Sequence, residues 1–100
     1  MMAAQVTFDA GALARLCHER GVRRLSLFGS ALRADFRADS DVDVLVEFEP
    51  GVRIGYLGLA GLEIELETVF GRKVDLNTPG GLHPRFRERA LSEAEVLYAH

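Results

Sequence analysis

Two aspartates, Asp41 and Asp43, stand two positions apart where an apolar run, VDVLVEF, begins. Because side chains alternate between the faces of a strand, a strand here puts both carboxylates on one face, about 6–7 Å apart. A third aspartate, Asp75, has the same orientation in another predicted strand, KVDLN. Three carboxylates on one face would repel each other so strongly that at least one would stay protonated. A divalent cation removes this conflict, and Mg²⁺ is the ion that a few carboxylates and ligand phosphates hold.

The turn Gly29-Ser30 lies between the end of one predicted strand and the start of a predicted short helix. Glycine lets a ligand approach the backbone closely, and the free N–H groups of a helix N-terminus suit a phosphate. The hydroxyl of Ser30 and the guanidinium of Arg33, one turn on, add further donors. We therefore predict a phosphate-binding turn beside a site for two metal ions, the combination that supports in-line phosphoryl displacement.

Hydrophobic periodicity and capping residues predict seven elements along the chain. Helices are predicted over 9–20, 30–35, 56–70 and 84–98, and strands over 23–28, 42–48 and 73–77. The order α-β-α-β-α-β-α indicates the α/β (α+β) class, with helices packed on a small mixed β-sheet. No linker, repeat or low-complexity tract divides residues 1–100, so we expect one domain.

The composition is that of an ordinary globular domain: 100 residues, 48% hydrophobic and 27% charged, with a formal net charge of −3. This balance argues against direct binding to nucleic acid. The single cysteine, Cys17, allows no internal disulfide and fits a reducing compartment. The sequence has no apolar run of about 18 residues and no signal-peptide pattern. We therefore expect a cytoplasmic protein without a membrane span.

Gly29-Ser30, ten further residues and then Asp41-Val42-Asp43 form the pattern GS-x10-DxD. This pattern resembles that of the DNA polymerase beta-like nucleotidyltransferases. The stretches FGSALRADFRADSDVDVLVEFEPG and FGRKVDLNTPGGLHPRFRERAL are similar to the minimal nucleotidyltransferases, the small antitoxin-like members of that superfamily. The similarity spans most of the chain, over residues 22–92.

The resemblance implies the nucleotidyltransferase fold and a role for each residue of the motif. Gly29 and Ser30 would hold the nucleoside triphosphate. Asp41 and Asp43 would bind two Mg²⁺ ions, and Asp75 would complete the catalytic metal site and help to activate the acceptor hydroxyl. The resemblance further implies transfer of AMP from ATP to a hydroxyl, in the better-known pairs a tyrosine, of a cognate HEPN-domain toxin. The protein would then be the antitoxin of a toxin–antitoxin pair.

An alternative is a non-catalytic antitoxin that neutralises its partner by binding and masking it. The apolar side chains of Tyr56, Leu57 and Tyr98 would contribute to such an interface, or belong to the core. The glutamates of the segment EIELE, Glu63, Glu65 and Glu67, are expected to form a solvated helix face. The sequence leaves open the nucleotide base, the number of nucleotides added and whether copies of the chain associate.

Overall fold

The computed structural model describes residues 2–3, 6–29 and 40–100. These residues form three helices and six strands, with a 3-10 turn at Pro79–Gly81. The helices are α1 (Ala10–Glu19), α2 (Tyr56–Phe70) and α3 (Pro84–Glu93). The strands are β1 (Met2–Ala3), β2 (Val6–Thr7), β3 (Val22–Phe28), β4 (Val42–Phe48), β5 (Val74–Asn77) and β6 (Glu95–Ala99).

The main sheet has four strands in the order β5-β4-β3-β6, and β1 pairs with β2 in a separate antiparallel ribbon. Strand β3 runs antiparallel to both β4 and β6, whereas β4 and β5 run parallel. A parallel pair needs a crossover connection, which α2 supplies. The predicted mixed sheet with helices packed on it is therefore confirmed.

The core lies on one face of this sheet, between the strands and helices α1 and α2. Alternate strand residues point into it, and both helices present apolar stripes toward it. The buried core residues from these elements are Leu13, Leu16, Cys17, Val22, Leu25, Leu27, Val42, Val44, Val46, Leu62, Leu66, Phe70 and Val74. The opposite face carries Asp43, whose neighbours in the sheet are Phe28 and Asp75. One face of the sheet thus carries most of the core, and the other carries Asp43 and Asp75 together with the buried Leu45 and Ser26.

Helix α2 matches the predicted range 56–70 and returns the chain to β5, beside the start of β4. It ends at Gly71, which adopts the left-handed conformation (φ 66°) and donates its N–H to the carbonyl of Glu67. Within the part of the chain that the structure describes, no helix combines the length and apolarity needed to cross a membrane.

The last element differs from the prediction. The prediction of a helix over 84–98 is wrong from Ala94 onward. Ala94 has a ψ of 139°, which ends α3, and the chain continues as β6. The segment EVLYA contains Val96, Leu97 and Tyr98, residue types that favour strands. Its pairing with β3 satisfies backbone groups that would otherwise form an open sheet edge. The predicted short helix over 30–35 lies outside the described residues.

Candidate functional site

The strand register brings two of the predicted carboxylates together. Asp43 of β4 and Asp75 of β5 are direct partners in the parallel pair. Partners in a sheet point to the same face, and neighbouring strands lie about 4.8 Å apart. Asp43 and Asp75 are therefore adjacent on the face opposite the core, although 32 residues separate them in sequence.

Asp41 precedes β4 by one residue and is exposed. Two contacts fix the backbone on either side of it. The N–H of Val42 donates to the carbonyl of Lys73 at 2.9 Å, and the guanidinium Nη2 of Arg72 donates to the carbonyl of Ser40 at 3.2 Å. Sequence analysis missed Arg72, because nothing in its position along the chain shows that it meets Ser40. These contacts tie the start of β4 to the start of β5.

Gly29 lies against the carboxylate of Asp43. Its φ of 63° falls in the left-handed region, which favours glycine. A Cβ at this position would lie 3.2 Å from Cγ of Asp43 and 3.4 Å from its Cβ, and it would overlap Oδ2. The glycine of the GS pair and the second aspartate of the DxD pair therefore form one close-packed unit. The other predicted phosphate-binding residues, Ser30 and Arg33, lie outside the described residues.

The donor chemistry of this face fits Mg²⁺, since carboxylate oxygens are hard ligands. Among residues 6–29 and 40–100, however, no three His, Cys, Asp or Glu side chains stand close enough together to hold a metal ion. Of the three expected ligands, Asp43 and Asp75 are adjacent, and Asp41 lies one residue before the start of β4. Like charges repel each other, and a divalent cation would draw these carboxylates together.

The acidic side chains of α2 add to the negative potential at this edge of the sheet. Burial raises the pKa of the Glu63 carboxyl above its ordinary value. The charges of Glu67, Asp75 and Asp41 raise the pKa of that carboxyl further. Glu67 also accepts a hydrogen bond from the N–H of Val74 at 3.0 Å. These two glutamates, expected to be solvated, are therefore half-buried beside β5, and Glu67 anchors that strand.

A cleft of about 500 Å³ opens beside Asp43, between the sheet and α3. Its sheet side is formed by Phe28, Gly29 and Asp43, and its helix side by Leu82, Phe86, Arg89, Ala90 and Glu93. The guanidinium of Arg87 fastens α3 to the preceding turn, because it donates to the carbonyls of Pro79 at 2.7 Å and Leu82 at 3.3 Å. No motif in the sequence indicates how α3 packs against the sheet, so this cleft was not predicted.

Comparison with known proteins identifies the family and the fold of the chain. The family model of the nucleotidyltransferase domain matches residues 11–97. A candidate protein adenylyltransferase of Methanocaldococcus jannaschii is 43% identical over 76 residues, which cover 76% of this chain and 80% of that protein. The protein adenylyltransferase MntA of Thermococcus cleftensis is 38% identical over 78 residues, covering 78% of this chain and 75% of that protein.

Solved structures show the same architecture. A candidate minimal nucleotidyltransferase is 42% identical and superposes with a TM-score of 0.70, over 85% of this chain and 85% of that one. A complex of a tri-AMPylated Shewanella oneidensis HEPN toxin with an MNT antitoxin shares the fold at 15% identity, with a TM-score of 0.63 over 91% of this chain and 70% of that one. This chain therefore belongs to the nucleotidyltransferase domain family, as its resemblance to the minimal nucleotidyltransferases implied.

Proposed function

We propose that this protein transfers AMP from ATP to a hydroxyl, most simply a tyrosine, of a cognate HEPN-domain toxin and so acts as its antitoxin. Two relatives of the chain bear the name of protein adenylyltransferases. A protein of the same fold binds a HEPN toxin that carries AMP. The observation that carries the proposal is the pairing of Asp43 with Asp75 beside Gly29. We expect the reaction to occur in the cytoplasm.

Each residue of the site has a distinct task in this proposal. Asp41, Asp43 and Asp75 would hold two Mg²⁺ ions, which when bound neutralise charge on the phosphates and on the attacking and leaving oxygens. Gly29 and the Ser30 that follows it would bind the triphosphate through backbone N–H groups and the serine hydroxyl.

The acceptor hydroxyl would attack the α-phosphorus, so that a new O–P bond forms as the bond to the leaving pyrophosphate breaks. The carboxylate of Asp75, on the edge strand of the sheet, would accept the hydroxyl proton. Positioning and charge neutralisation would therefore provide most of the catalysis.

The test combines the protein, Mg²⁺, labelled ATP and the cognate HEPN-domain protein, sought as the product of the adjacent gene, with mass spectrometry to locate AMP adducts. We expect adducts on a tyrosine of the partner, and their loss with Asp41→Asn, Asp43→Asn and Asp75→Asn. Glu19→Gln removes an exposed carboxylate at the end of α1 and serves as the matched control. Normal transfer by Asp43→Asn would overturn the assignment of the site.

Masking without catalysis is the second candidate function, and exposed apolar side chains favour it. Tyr56 and Leu57, at the start of α2, are each 91% exposed. Neighbouring large apolar side chains with this much exposed surface are typical of protein interfaces. Under this alternative the partner is neutralised equally well by the wild type and by Asp43→Asn, and no AMP adduct forms. Tyr56→Ala and Leu57→Ala would instead weaken the complex.

A further inference from the structure

We propose that the cleft between the sheet and α3 binds the nucleobase of the donor nucleotide, and that Phe86 is the surface on which the base stacks. This inference rests on the proposed function in one respect, namely that the donor is a nucleoside triphosphate. It adds a binding site on α3, an element that carries none of the predicted metal or phosphate ligands.

The position of the cleft supports this assignment. The cleft is lined by Gly29, which is assigned to the phosphates, and by Asp43, which is assigned to the metal ions and packs against Gly29. A nucleoside is joined to the α-phosphate, so it must occupy space next to the carboxylates that act on that phosphate. The cleft of about 500 Å³ adjoins Asp43 directly. Its volume lies within the range of small-molecule sites, about 300–1,000 Å³.

The lining has the chemistry of a site for a flat heteroaromatic ring. Phe28, Leu82 and Ala90 give it apolar walls. Phe86 is 62% exposed, so its ring is open to a ligand, and the ring of His83 flanks it at 5.8 Å with a tilt of 60°. Aromatic side chains stack on any nucleobase, because every base has a π-face.

The same helix provides polar groups for the edge of the base. Arg89 and Glu93, one turn apart, form an exposed ion pair with 3.1 Å between Nε and Oε1. This pair places a donor and an acceptor on the wall that carries Phe86. The hydrogen bonds from Arg87 to the carbonyls of Pro79 and Leu82 hold the wall in place, which reduces the ordering that binding requires.

Calorimetric titration with two ligands tests this assignment in the full chain with Mg²⁺. The first ligand is a non-hydrolysable ATP analogue and the second is inorganic tripolyphosphate, which has no base. We expect Phe86→Ala to weaken binding of the ATP analogue about 10- to 100-fold and to leave tripolyphosphate binding unchanged. Phe86→Tyr keeps the ring and should bind both ligands as the wild type does.

The control Ile64→Ala removes an exposed apolar side chain from α2 and should change neither affinity. An unchanged affinity of Phe86→Ala for the ATP analogue would overturn the base site and leave the proposed function standing. The base site would also be overturned if Phe86→Ala lost transfer to the partner but kept its affinity for the nucleotide. The cleft would then bind the acceptor. Wild-type protein that binds neither ligand would instead contradict the proposed function itself.

Discussion

Replacement of Gly29 by alanine should damage stability and activity through two separate effects. The first effect is on the backbone. Gly29 has φ of 63°, and an L-residue in the left-handed region costs about 1–2 kcal/mol. In a domain of this size, each kcal/mol lowers Tm by about 4–8 °C.

The second effect is a displacement of Asp43. A Cβ at Gly29 would lie 3.2 Å from Cγ of Asp43, whereas carbon atoms in good contact are about 3.5–4.0 Å apart. The new methyl would also overlap Oδ2, so the carboxylate must move by about an ångström or turn away. A misplacement of about 1 Å can reduce a rate about 100-fold. We therefore expect AMP transfer to fall by about two orders of magnitude.

Thermal unfolding, monitored by circular dichroism, measures the effect on stability. The rate of AMP transfer measures the effect of displacing Asp43. Gly51→Ala is the matched control, because Gly51 also has a positive φ (88°) and a Cβ there would meet nothing within 4 Å. It should lose comparable stability and keep its activity. If Gly29→Ala transferred AMP as fast as Gly51→Ala, the close packing of Gly29 against Asp43 would have no part in catalysis.

Three further substitutions test other parts of the structure. Arg72→Ala removes the donor to the Ser40 carbonyl, so the Mg²⁺ concentration for half-maximal transfer should rise about 10- to 100-fold. Arg72→Lys should partly restore the wild-type value. An unchanged Mg²⁺ dependence would show that Arg72 does not position the site. Because folding raises the pKa of Glu63, stability falls as pH rises from the ordinary pKa of a glutamate to the raised pKa, and the loss persists at higher pH. Glu63→Gln should therefore raise Tm at pH 7 and have little effect once both states are protonated in acid, and an equal effect at both pH values would refute this. Leu66→Ala should cost about 2–5 kcal/mol of unfolding free energy in urea denaturation, since Leu66 is completely buried, and a cost below about 1 kcal/mol would contradict its place in the core.

The elements with strong local signals could be predicted from the sequence. Helix α2 has a clear apolar stripe and a terminal Gly71, and β4 has an apolar residue at every second position, from Val42 to Phe48. The segment after Ala94 was misassigned because β6 is stabilised by its pairing with β3, which lies about 70 residues earlier in the chain. Local patterns do not contain such a pairing, so tertiary context decided it.

In the candidate site, too, local features could be predicted and contacts between distant elements could not. The alternation rule correctly placed Asp43 and Asp75 on one face, because period-2 geometry is a property of each strand. That these two aspartates are direct neighbours depends on the order of the strands. The contacts of Arg72 and the cleft beside Phe86 depend on how separate elements pack, and neither residue belongs to a motif.

The central claim is that Asp43 and Asp75, with Asp41, bind the divalent cation. Titration with Mn²⁺ in place of Mg²⁺ tests it most directly, through paramagnetic broadening of the backbone amide signals in nuclear magnetic resonance spectra. We predict that the amides of Asp43 and Asp75 broaden first, and that Asp43→Asn removes this effect. Earlier broadening at a remote acidic position such as Glu19, or the same broadening in Asp43→Asn, would contradict it.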